Sequence, residues 1–341
     1  VSGLSVNHTT QNHTAKIIFG DNKNPQDQFI YTDLSEMYKG YVFDGKDSTY
    51  RGETPGEGGY VYSEPGVYEN VALLDVASMH PSSIELLRAF GPYTERYSEL
   101  KEARMAIKHQ DYEAARGMLN GKLSPFLAGA EDDPAGAEAL SYALKIVINI
   151  VYGLTSAKFP NQFKDNRNKD NIVAKRGALF MIDLKQAVQE KGWTVAHIKT
   201  DSIKIPDATP EIIEFVFEFG KKYGYDFEHE ATYDKFALVN DAVYIARKGD
   251  EWTAVGAQFQ HPYVFKTLFS KEPITFDDMC ETKSVTQGIM YLDFDEDSSV
   301  RKTQEFQHVG RTGSFVPVVH GGGVLWRIKE DKKYAVTGTK G

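Results

Sequence analysis

The segment VALLDVASMHP, residues 71–81, predicts a buried strand that runs directly into a helix. Its first six residues are apolar except for Asp75, which is typical of a strand in the middle of a sheet. A short helix is expected at about 82–90, and the turn into it begins with Ser78, Met79 and His80. The free N–H groups at the start of a helix bind phosphate readily. We therefore expect a carboxylate beside a phosphate-binding turn that also carries His80. Taken alone, this histidine would be interpreted as a hydrogen-bonded structural residue.

A second aspartate, Asp201, lies at the tip of a strand–turn–strand predicted within 193–205. Because both strand ends can lie side by side on one sheet, Asp75 and Asp201 could bind two Mg²⁺ ions about 3.5–4 Å apart. The carbonyl of Val76 is a further candidate ligand, and oxygen ligands of this kind suit Mg²⁺. Taken alone, Asp75 would be interpreted as a helix cap and Asp201 as a turn residue.

A third segment contributes polar groups from a helix predicted at about 137–152. Lys145, Asn149 and Tyr152 are spaced i, i+4, i+7, so they share one face of that helix. Lys145 could neutralise the charge that builds on phosphates during transfer. Tyr152 could pack beside a nascent base pair.

A preceding helix is predicted at 94–119, and the two helices would form a hairpin. Arg104 and Lys108 lie on it at i, i+4 and could reach the same triphosphate. A solvated helix face is the alternative interpretation for these two cations and for Lys145. Two metal-binding carboxylates that face a cationic helix pair are what nucleotidyl transfer requires.

Composition limits the remaining possibilities. The chain has 341 residues, which favours two or three packed units over one core. The net charge of −9 argues mildly against nucleic-acid binding, although the distribution of charge matters more than its sum. One cysteine, Cys280, excludes an internal disulfide and indicates a reducing compartment. No apolar stretch is expected to reach the roughly 18 residues of a membrane span, so a cytoplasmic protein without a membrane partner is expected.

The other elements are predicted from periodicity and from turn residues. The expected strands are 16–19, 29–32, 71–76, 236–247 and 251–258, and the further helices are 171–190 and one from Pro210 to near Gly224. Residues 44–59 are expected to form a loop that ends in Gly58-Gly59. The chain starts at Val1, which suggests a processed chain or a fragment of a longer protein.

At these residues the chain resembles the polymerase region of family B DNA polymerases, with the tailed-bacteriophage members closest. Residues 75–82 resemble motif A, Asp-x-x-Ser-Leu-Tyr-Pro-Ser, and residues 145–153 resemble motif B, Lys-x-x-x-Asn-Ser-x-Tyr-Gly. Residues 197–202 resemble motif C, Tyr-x-Asp-Thr-Asp-Ser. The pair Gly58-Gly59 before motif A resembles the glycine-rich linker between the exonuclease and polymerase parts.

The resemblance implies an α/β (α+β) right-hand architecture with an antiparallel-sheet palm, two-helix fingers and a partial thumb. Residues 71–90 and 166–235 would form the palm, and 91–165 the fingers. Residues 236–341 would form the late palm and the start of the thumb. Residues 1–70 would be an N-terminal segment or linker to a missing exonuclease region, since they contain no convincing Asp-x-Glu motif.

The implied activity is template-directed addition of deoxynucleotides to a primer 3′ end. Its cofactor would be two Mg²⁺ ions, with Mn²⁺ as a substitute. Its partners would be primer–template DNA, deoxynucleoside triphosphates and replication accessory proteins, in a host cytoplasm if the chain is phage-encoded. Motif matching implies DNA contacts by Gly58, Gly59, Lys199 and Tyr244, the last within a degraded form of the lysine-rich signature that follows the palm.

Four residues depart from the family pattern. His80 replaces the tyrosine that excludes ribose, and Ile150 replaces the serine of motif B. In motif C, Lys199 replaces the first aspartate and His197 the tyrosine, although the usual metal ligand is retained as Asp201. An active DNA polymerase core is the main hypothesis. A catalytically weak module that binds primer–template DNA or a replication partner is the alternative, and a reverse transcriptase is disfavoured by the long two-helix fingers.

Overall fold

The computed structural model describes residues 11–284, 290–293, 306–310, 312–317, 323–329 and 332–336. The chain divides into two compact units, Val1–Asp241 and Ala242–Gly341. The boundary lies a few residues beyond the predicted transition at 235/236. All the predicted catalytic and nucleotide-binding residues belong to the first unit.

An antiparallel sheet forms the centre of the first unit, with its strands in the spatial order β3-β5-β6-β4-β7. These strands are β3 (Val61–Ser63), β4 (Gly66–Val76), β5 (His197–Lys199), β6 (Ser202–Ile205) and β7 (Phe227–Asn240). In the predicted part of β4, Val71, Ala72, Leu74 and Val76 are almost fully buried, as expected for a central strand. Because β4 begins at Gly66, the predicted domain boundary at 70/71 falls inside a strand.

Helices pack around this sheet. They are α1 (Gln11–Phe19), α2 (Met79–Leu87), α3 (Thr94–Lys108), α4 (Tyr112–Gly117), α5 (Ala135–Ser156), α6 (Ile172–Glu190) and α7 (Pro210–Lys222). Helix α6 is buried along most of its length and packs closely on α2. A Cβ on Gly177 of α6 would lie only 2.5 Å from the sulfur of Met79, so glycine is needed where the two helices meet. This contact positions the start of α2.

The N-terminal segment contains the short strands β1 (Val42–Phe43) and β2 (Ser48–Thr49), which pair with each other. Hydrogen bonds hold this segment against α6 and against the residues that precede α6. The Tyr41 hydroxyl donates to Asp170 over 2.7 Å, and the Tyr50 hydroxyl donates to Asp183 over 2.7 Å. The segment is thus part of the first unit.

The second unit is built mainly from antiparallel strands in the part of the chain that the structure describes. A hairpin of β8 (Val243–Lys248) and β9 (Glu251–Val255) precedes the short helix α8 (Pro262–Phe265). The strands β10 (Glu281–Ser284), β13 (Thr312–Pro317), β14 (Gly323–Lys329) and β15 (Lys332–Val336) form one sheet, and β11 (Met290–Asp293) pairs with β12 (Phe306–Gly310).

The mixed helix and antiparallel-sheet class is as predicted, and α6, α7 and the β5–β6 hairpin lie where expected. Several other predictions were wrong. Residues 16–19 belong to α1, because Thr14, Ala15 and Ile18 bury one helical face. The segment 29–32 is not a strand, and the helix predicted at 82–90 already begins at Met79.

Two long predicted elements are each broken in two. The helix predicted at 94–119 ends at Lys108, Gln110 has a left-handed φ of 62°, and the Asp111 side chain caps α4. The strand predicted at 236–247 is interrupted at residues 241–242, between β7 and β8.

The expectation that no apolar stretch reaches the length of a membrane span is wrong for helix α5. It has 22 residues and is apolar enough to cross a membrane by length and composition alone. Its charged residues are Glu138 and Lys145, so a stretch of the required length does exist. Its face with Leu144, Ile148 and Val151 is buried, and the Tyr97 hydroxyl of α3 donates a hydrogen bond to the Ile148 carbonyl over 3.4 Å.

Candidate active site

The two predicted metal ligands lie at one edge of the central sheet. Asp75 is opposite Ser202 in the pairing of β4 with β6. The next residue of β4, Val76, therefore lies beside the turn that contains Asp201. The Val76 N–H donates a hydrogen bond to the Asp201 carbonyl over 2.8 Å. The strand ends and this bond bring the two aspartates together, as the sequence predicts.

A cavity of about 290 Å³ opens above these aspartates. We call it the acidic cavity, after the carboxylates on its floor. Most of the predicted site residues line it, namely Asp75, Val76, Ser78, Met79, His80, Arg104, Lys108, Lys145, Asn149 and Asp201. Residues that are up to 126 positions apart in sequence are thus gathered around one space.

Two further carboxylates, Glu228 and Glu230 on β7, line the acidic cavity and were missed in the sequence. Glu228 is the direct partner of Asp75 in the pairing of β4 with β7. The register shifts between Leu73 and Leu74, whose partners are Ala231 and His229, so Glu230 is the extra residue of a β-bulge. The alternation Phe227-Glu228-His229-Glu230 was the available signal, but β7 was expected to start only at 236.

Burial and repulsion between carboxylates raise the pKa of the two aspartates on the floor of the cavity. The pKa of Asp75 is raised to about 7, first by burial and then by the charges of Asp201, Glu230 and Glu228. Burial also raises the pKa of Asp201, with Glu230 adding to the effect. A divalent cation would relieve this repulsion and stabilise both ionised carboxylates.

The donor set fits Mg²⁺ that arrives with a nucleotide. Such an ion usually takes one or two protein carboxylates and completes its shell with phosphate oxygens and water. Within the described residues, no group of three or more acidic, histidine or cysteine side chains is arranged as a closed metal site. Asp75 and Asp201 are therefore candidates for an open site that needs ligands from a substrate.

Cations from α3 and α5 line the acidic cavity together with those carboxylates. The Nε atom of Arg104 is buried and has no hydrogen-bond partner among the described residues, and burial lowers the pKa of this guanidinium. Lys108 lies 3.7 Å from Glu228 in an exposed ion pair, so part of its charge is already balanced. Lys145 is exposed and lies with Asn149 along the same helix face.

His80 and Tyr152 form a stacked pair beside the cavity. Their ring centroids are 4.0 Å apart and their planes differ by 8°. Burial lowers the pKa of His80 to about 4, so the imidazole is neutral at physiological pH. Its Nδ1 atom has no hydrogen-bond partner in the described part of the chain. Tyr152 itself does not line the acidic cavity and stands between it and a second one.

This second space, of about 580 Å³, we call the basic cavity. Five lysines line it, Lys46, Lys158, Lys164, Lys169 and Lys175, against the acidic residues Glu57 and Asp170. Gly58 and Tyr152 also line it. Asp170 already accepts a hydrogen bond from Tyr41, so the lysines dominate the charge of the cavity.

The predicted DNA contacts are spread over several places. Gly58 is exposed at the basic cavity, whereas Gly59 is buried against Thr200 of the β5–β6 turn. Lys199 is exposed at the end of β5. Tyr244 is half-buried in β8 of the second unit.

The electrostatic account of the acidic cavity predicts the effect of Asp75→Asn on stability. A raised pKa means that ionisation of Asp75 reduces the unfolding free energy as the pH rises from about 4 to about 7. In EDTA at about pH 8, Asp75→Asn should therefore be more stable than wild type by about 1 kcal/mol, allowing for solvent screening. Urea unfolding measures this difference, which should disappear near pH 4.

The exposed Asp132→Asn variant serves as the control and should match wild type at both pH values. Equal destabilisation by Asp75→Asn at both pH values would contradict the account, because it would mean that the carboxylate stabilises the fold.

Comparisons with known proteins find that the sequence and the fold of the chain are similar to those of DNA polymerases. No protein-family model matches it. It is 31% identical over 166 residues to DNA polymerase II of Escherichia coli (strain K12). The matched region covers 44% of this chain and 20% of that protein. Its fold is similar to a family B DNA polymerase from the hyperthermophilic archaeon Pyrobaculum calidifontis, with a TM-score of 0.51 at 12% identity, over 97% of this chain and 47% of that one. The chain thus spans about a fifth of the length of its curated relative.

Proposed function

We propose, from the premise that the chain is a relative of the family B DNA polymerases, that it is the nucleotidyl-transfer core of a template-directed DNA polymerase. The reaction would be addition of a deoxynucleotide to a primer 3′ end with release of pyrophosphate. The observation that carries the proposal is the acidic cavity, where two carboxylates on adjacent strands face cations from two helices.

Asp75 and Asp201 would hold two Mg²⁺ ions, with Mn²⁺ as a substitute. Bound there, the ions would lower the pKa of the primer hydroxyl and neutralise charge on the triphosphate. The Val76 carbonyl is a further candidate ligand. Glu228 and Glu230 add negative charge beside the two aspartates, which favours a divalent over a monovalent cation there.

The triphosphate would lie against the opposite wall of the cavity. The buried Nε–H of Arg104 has no partner among the described residues, and such a donor is stabilised by an anionic acceptor. Lys145 would neutralise charge that develops on the phosphates, and Asn149 on the same face would contact the nucleotide. Backbone N–H groups of Ser78 and Met79, at the start of α2, would add donors to the phosphates.

The sugar and base would lie next to the His80–Tyr152 pair. Stacking holds the imidazole flat against the phenol ring, and burial keeps it uncharged. A histidine is smaller than tyrosine, so more space would remain beside the sugar 2′ position. We propose that this makes the site less strict in excluding ribonucleotides.

The basic cavity supports contact with the phosphate backbone of DNA. Its five lysines give this cavity a local positive charge although the chain has a net charge of −9. The net charge therefore does not argue against DNA binding at this place. Tyr152 lies between the two cavities, so a strand bound in the basic cavity would end beside the nucleotide site. Lys199 and Tyr244 remain candidates for contacts with the primer.

Primer extension tests the proposed activity directly. Wild type should extend a primer on a DNA template with Mg²⁺, and Asp201→Asn should lower the rate at least about 100-fold, because a carboxylate that holds the metals is lost. Asp132→Asn should be unaffected. DNA binding without extension by a folded wild-type protein would contradict the proposal and favour a polymerase-like binding module.

The sugar proposal predicts the effect of His80→Tyr. Selectivity for deoxynucleotides over ribonucleotides should rise about 10- to 100-fold in the ratio of kcat/KM, since the larger ring restricts space at the 2′ position. Single-nucleotide incorporation measures the ratio, and His109→Tyr at the exposed end of α3 is the control. Unchanged selectivity in His80→Tyr would exclude this role.

The basic cavity predicts a change in salt dependence. Lys164→Gln combined with Lys169→Gln should weaken binding to primer–template DNA and lower the slope of log K against log salt by about 1–2. Fluorescence anisotropy over a salt series measures the slope. Lys221→Gln, on the exposed end of α7, should keep the wild-type slope. A wild-type slope in the double variant would show that the strand does not occupy this cavity.

A further inference from the structure

The turn that carries Asp201 has an unusual backbone. Lys199 and Ser202 are the last paired residues of the β5–β6 hairpin, so Thr200 and Asp201 form a two-residue turn. Thr200 has a φ of 57°, in the left-handed region that a β-branched residue rarely adopts. Such a conformation persists only where neighbouring groups hold it.

Strand β4 and the residue that precedes β3 hold this turn by backbone hydrogen bonds. The Thr200 N–H donates to the Tyr60 carbonyl over 2.9 Å, and the Asp201 carbonyl accepts from Val76 over 2.8 Å. Immediately beyond Tyr60, Val61 is paired with Lys199 in the β3–β5 ladder. The residues before β3 thus contact the catalytic turn directly.

Gly59 lies against the Thr200 side chain. A Cβ at Gly59 would be 2.9 Å from Thr200 Cγ2, 3.1 Å from its Oγ1 and 3.3 Å from its Cα. Real Cβ atoms essentially never approach another atom within 3.0 Å, so any side chain at this position would displace Thr200. Thr200 is followed directly by Asp201, and a displacement there moves the carboxylate.

The segment before Gly59 is itself fixed to α6 and its N-cap residue. Lys175 donates to the Gly56 carbonyl over 3.0 Å, and Asn171 donates to the Glu57 carbonyl over 3.0 Å. Lys185 donates to the Tyr60 hydroxyl over 2.8 Å and also pairs with Glu53. Gly59 and Tyr60 therefore have a position set by a buried helix.

We propose that Gly59 and Tyr60 form a clamp that positions Asp201 for metal binding. Gly59 provides the space for the Thr200 side chain, and Tyr60 accepts the hydrogen bond that keeps Thr200 left-handed. Both are positioning residues, because they act through Thr200 on the carboxylate. The proposal rests on the proposed function in giving Asp201 the role of a metal ligand, whereas the clamp itself is a property of the fold.

The test combines Gly59→Ala with Thr200→Gly, which removes the side chain that an alanine would meet and itself accepts a left-handed φ. Mn²⁺ in the presence of a deoxynucleoside triphosphate is the probe, followed by electron paramagnetic resonance. Gly59→Ala should weaken Mn²⁺ binding about 10- to 100-fold, as expected for a ligand displaced by about 1 Å. The double variant should recover part of the affinity, since the backbone strain of an alanine at the φ of 154° of Gly59 remains. Gly117→Ala, where a Cβ meets nothing within 4 Å among the described residues, is the control.

Amide hydrogen exchange gives a second readout that does not depend on metal or catalysis. The Thr200 and Val76 amides should exchange at least about 10-fold faster in Gly59→Ala and return towards wild type in the double variant. Wild-type exchange in Gly59→Ala would overturn the clamp, as would a double variant that is no better than Gly59→Ala. The latter result would assign the effect to the φ of 154° at Gly59 alone.

The two proposals fail in different ways. A wild-type protein that neither binds Mn²⁺ with nucleotide nor extends primers would refute the proposed function, and the exchange data would still decide whether the clamp exists. If Gly59→Ala does not fold, the double variant decides, because the clamp predicts that removing the Thr200 side chain restores the folded hairpin.

Discussion

Repulsion between carboxylates is the constraint on which the rest of the first unit depends. Asp75, Asp201, Glu228 and Glu230 line one cavity, and their charges together with burial raise the pKa of Asp75 to about 7. Such a cluster destabilises the folded state unless cations are nearby. The sheet keeps the carboxylates together through three antiparallel strands whose register is fixed by a buried β4. Under the proposed function, a divalent metal bound between Asp75 and Asp201 would offset this loss of stability.

The surrounding elements hold this arrangement from several sides. Helix α6 packs behind α2, where Gly177 allows close contact with Met79, and it anchors the segment that contacts the Thr200 turn. Helices α3 and α5 supply the cations on the opposite wall. The balance of charge is therefore local, and the net charge of the chain says little about what the site binds.

Much of the site could be predicted from the sequence, because its residues lie in short local patterns. The apolar run around Asp75, the turn at Asp201 and the helical spacing of Lys145 and Arg104, taken together, predict one site, and these residues line one cavity in the structure. Glu228 and Glu230 could not be found this way, since their place depends on the pairing of β7 with β4 and on a bulge. Long-range register of this kind is not written in local periodicity.

The mistakes in secondary structure have similar causes. Residues 16–19 contain a short β-like apolar run but are helical, because tertiary burial of Ile18 and Phe19 overrides local preference. The breaks around Gln110 and at residues 241–242 each span only two or three residues inside long regular patterns, so periodicity does not detect them. The expectation that no apolar stretch reaches the length of a membrane span is wrong for α5, because only Glu138 and Lys145 are charged among its 22 residues.

The central claim is that the acidic cavity binds a metal–nucleotide complex beside a primer end. The most direct measurement is a crystal structure with a dideoxy-terminated primer–template, an incoming deoxynucleoside triphosphate and Ca²⁺ in place of Mg²⁺. The account predicts metal density between Asp75 and Asp201, with the triphosphate against Arg104 and Lys145. A nucleotide bound outside the acidic cavity would contradict the account. So would a DNA complex in which protein side chains fill that cavity.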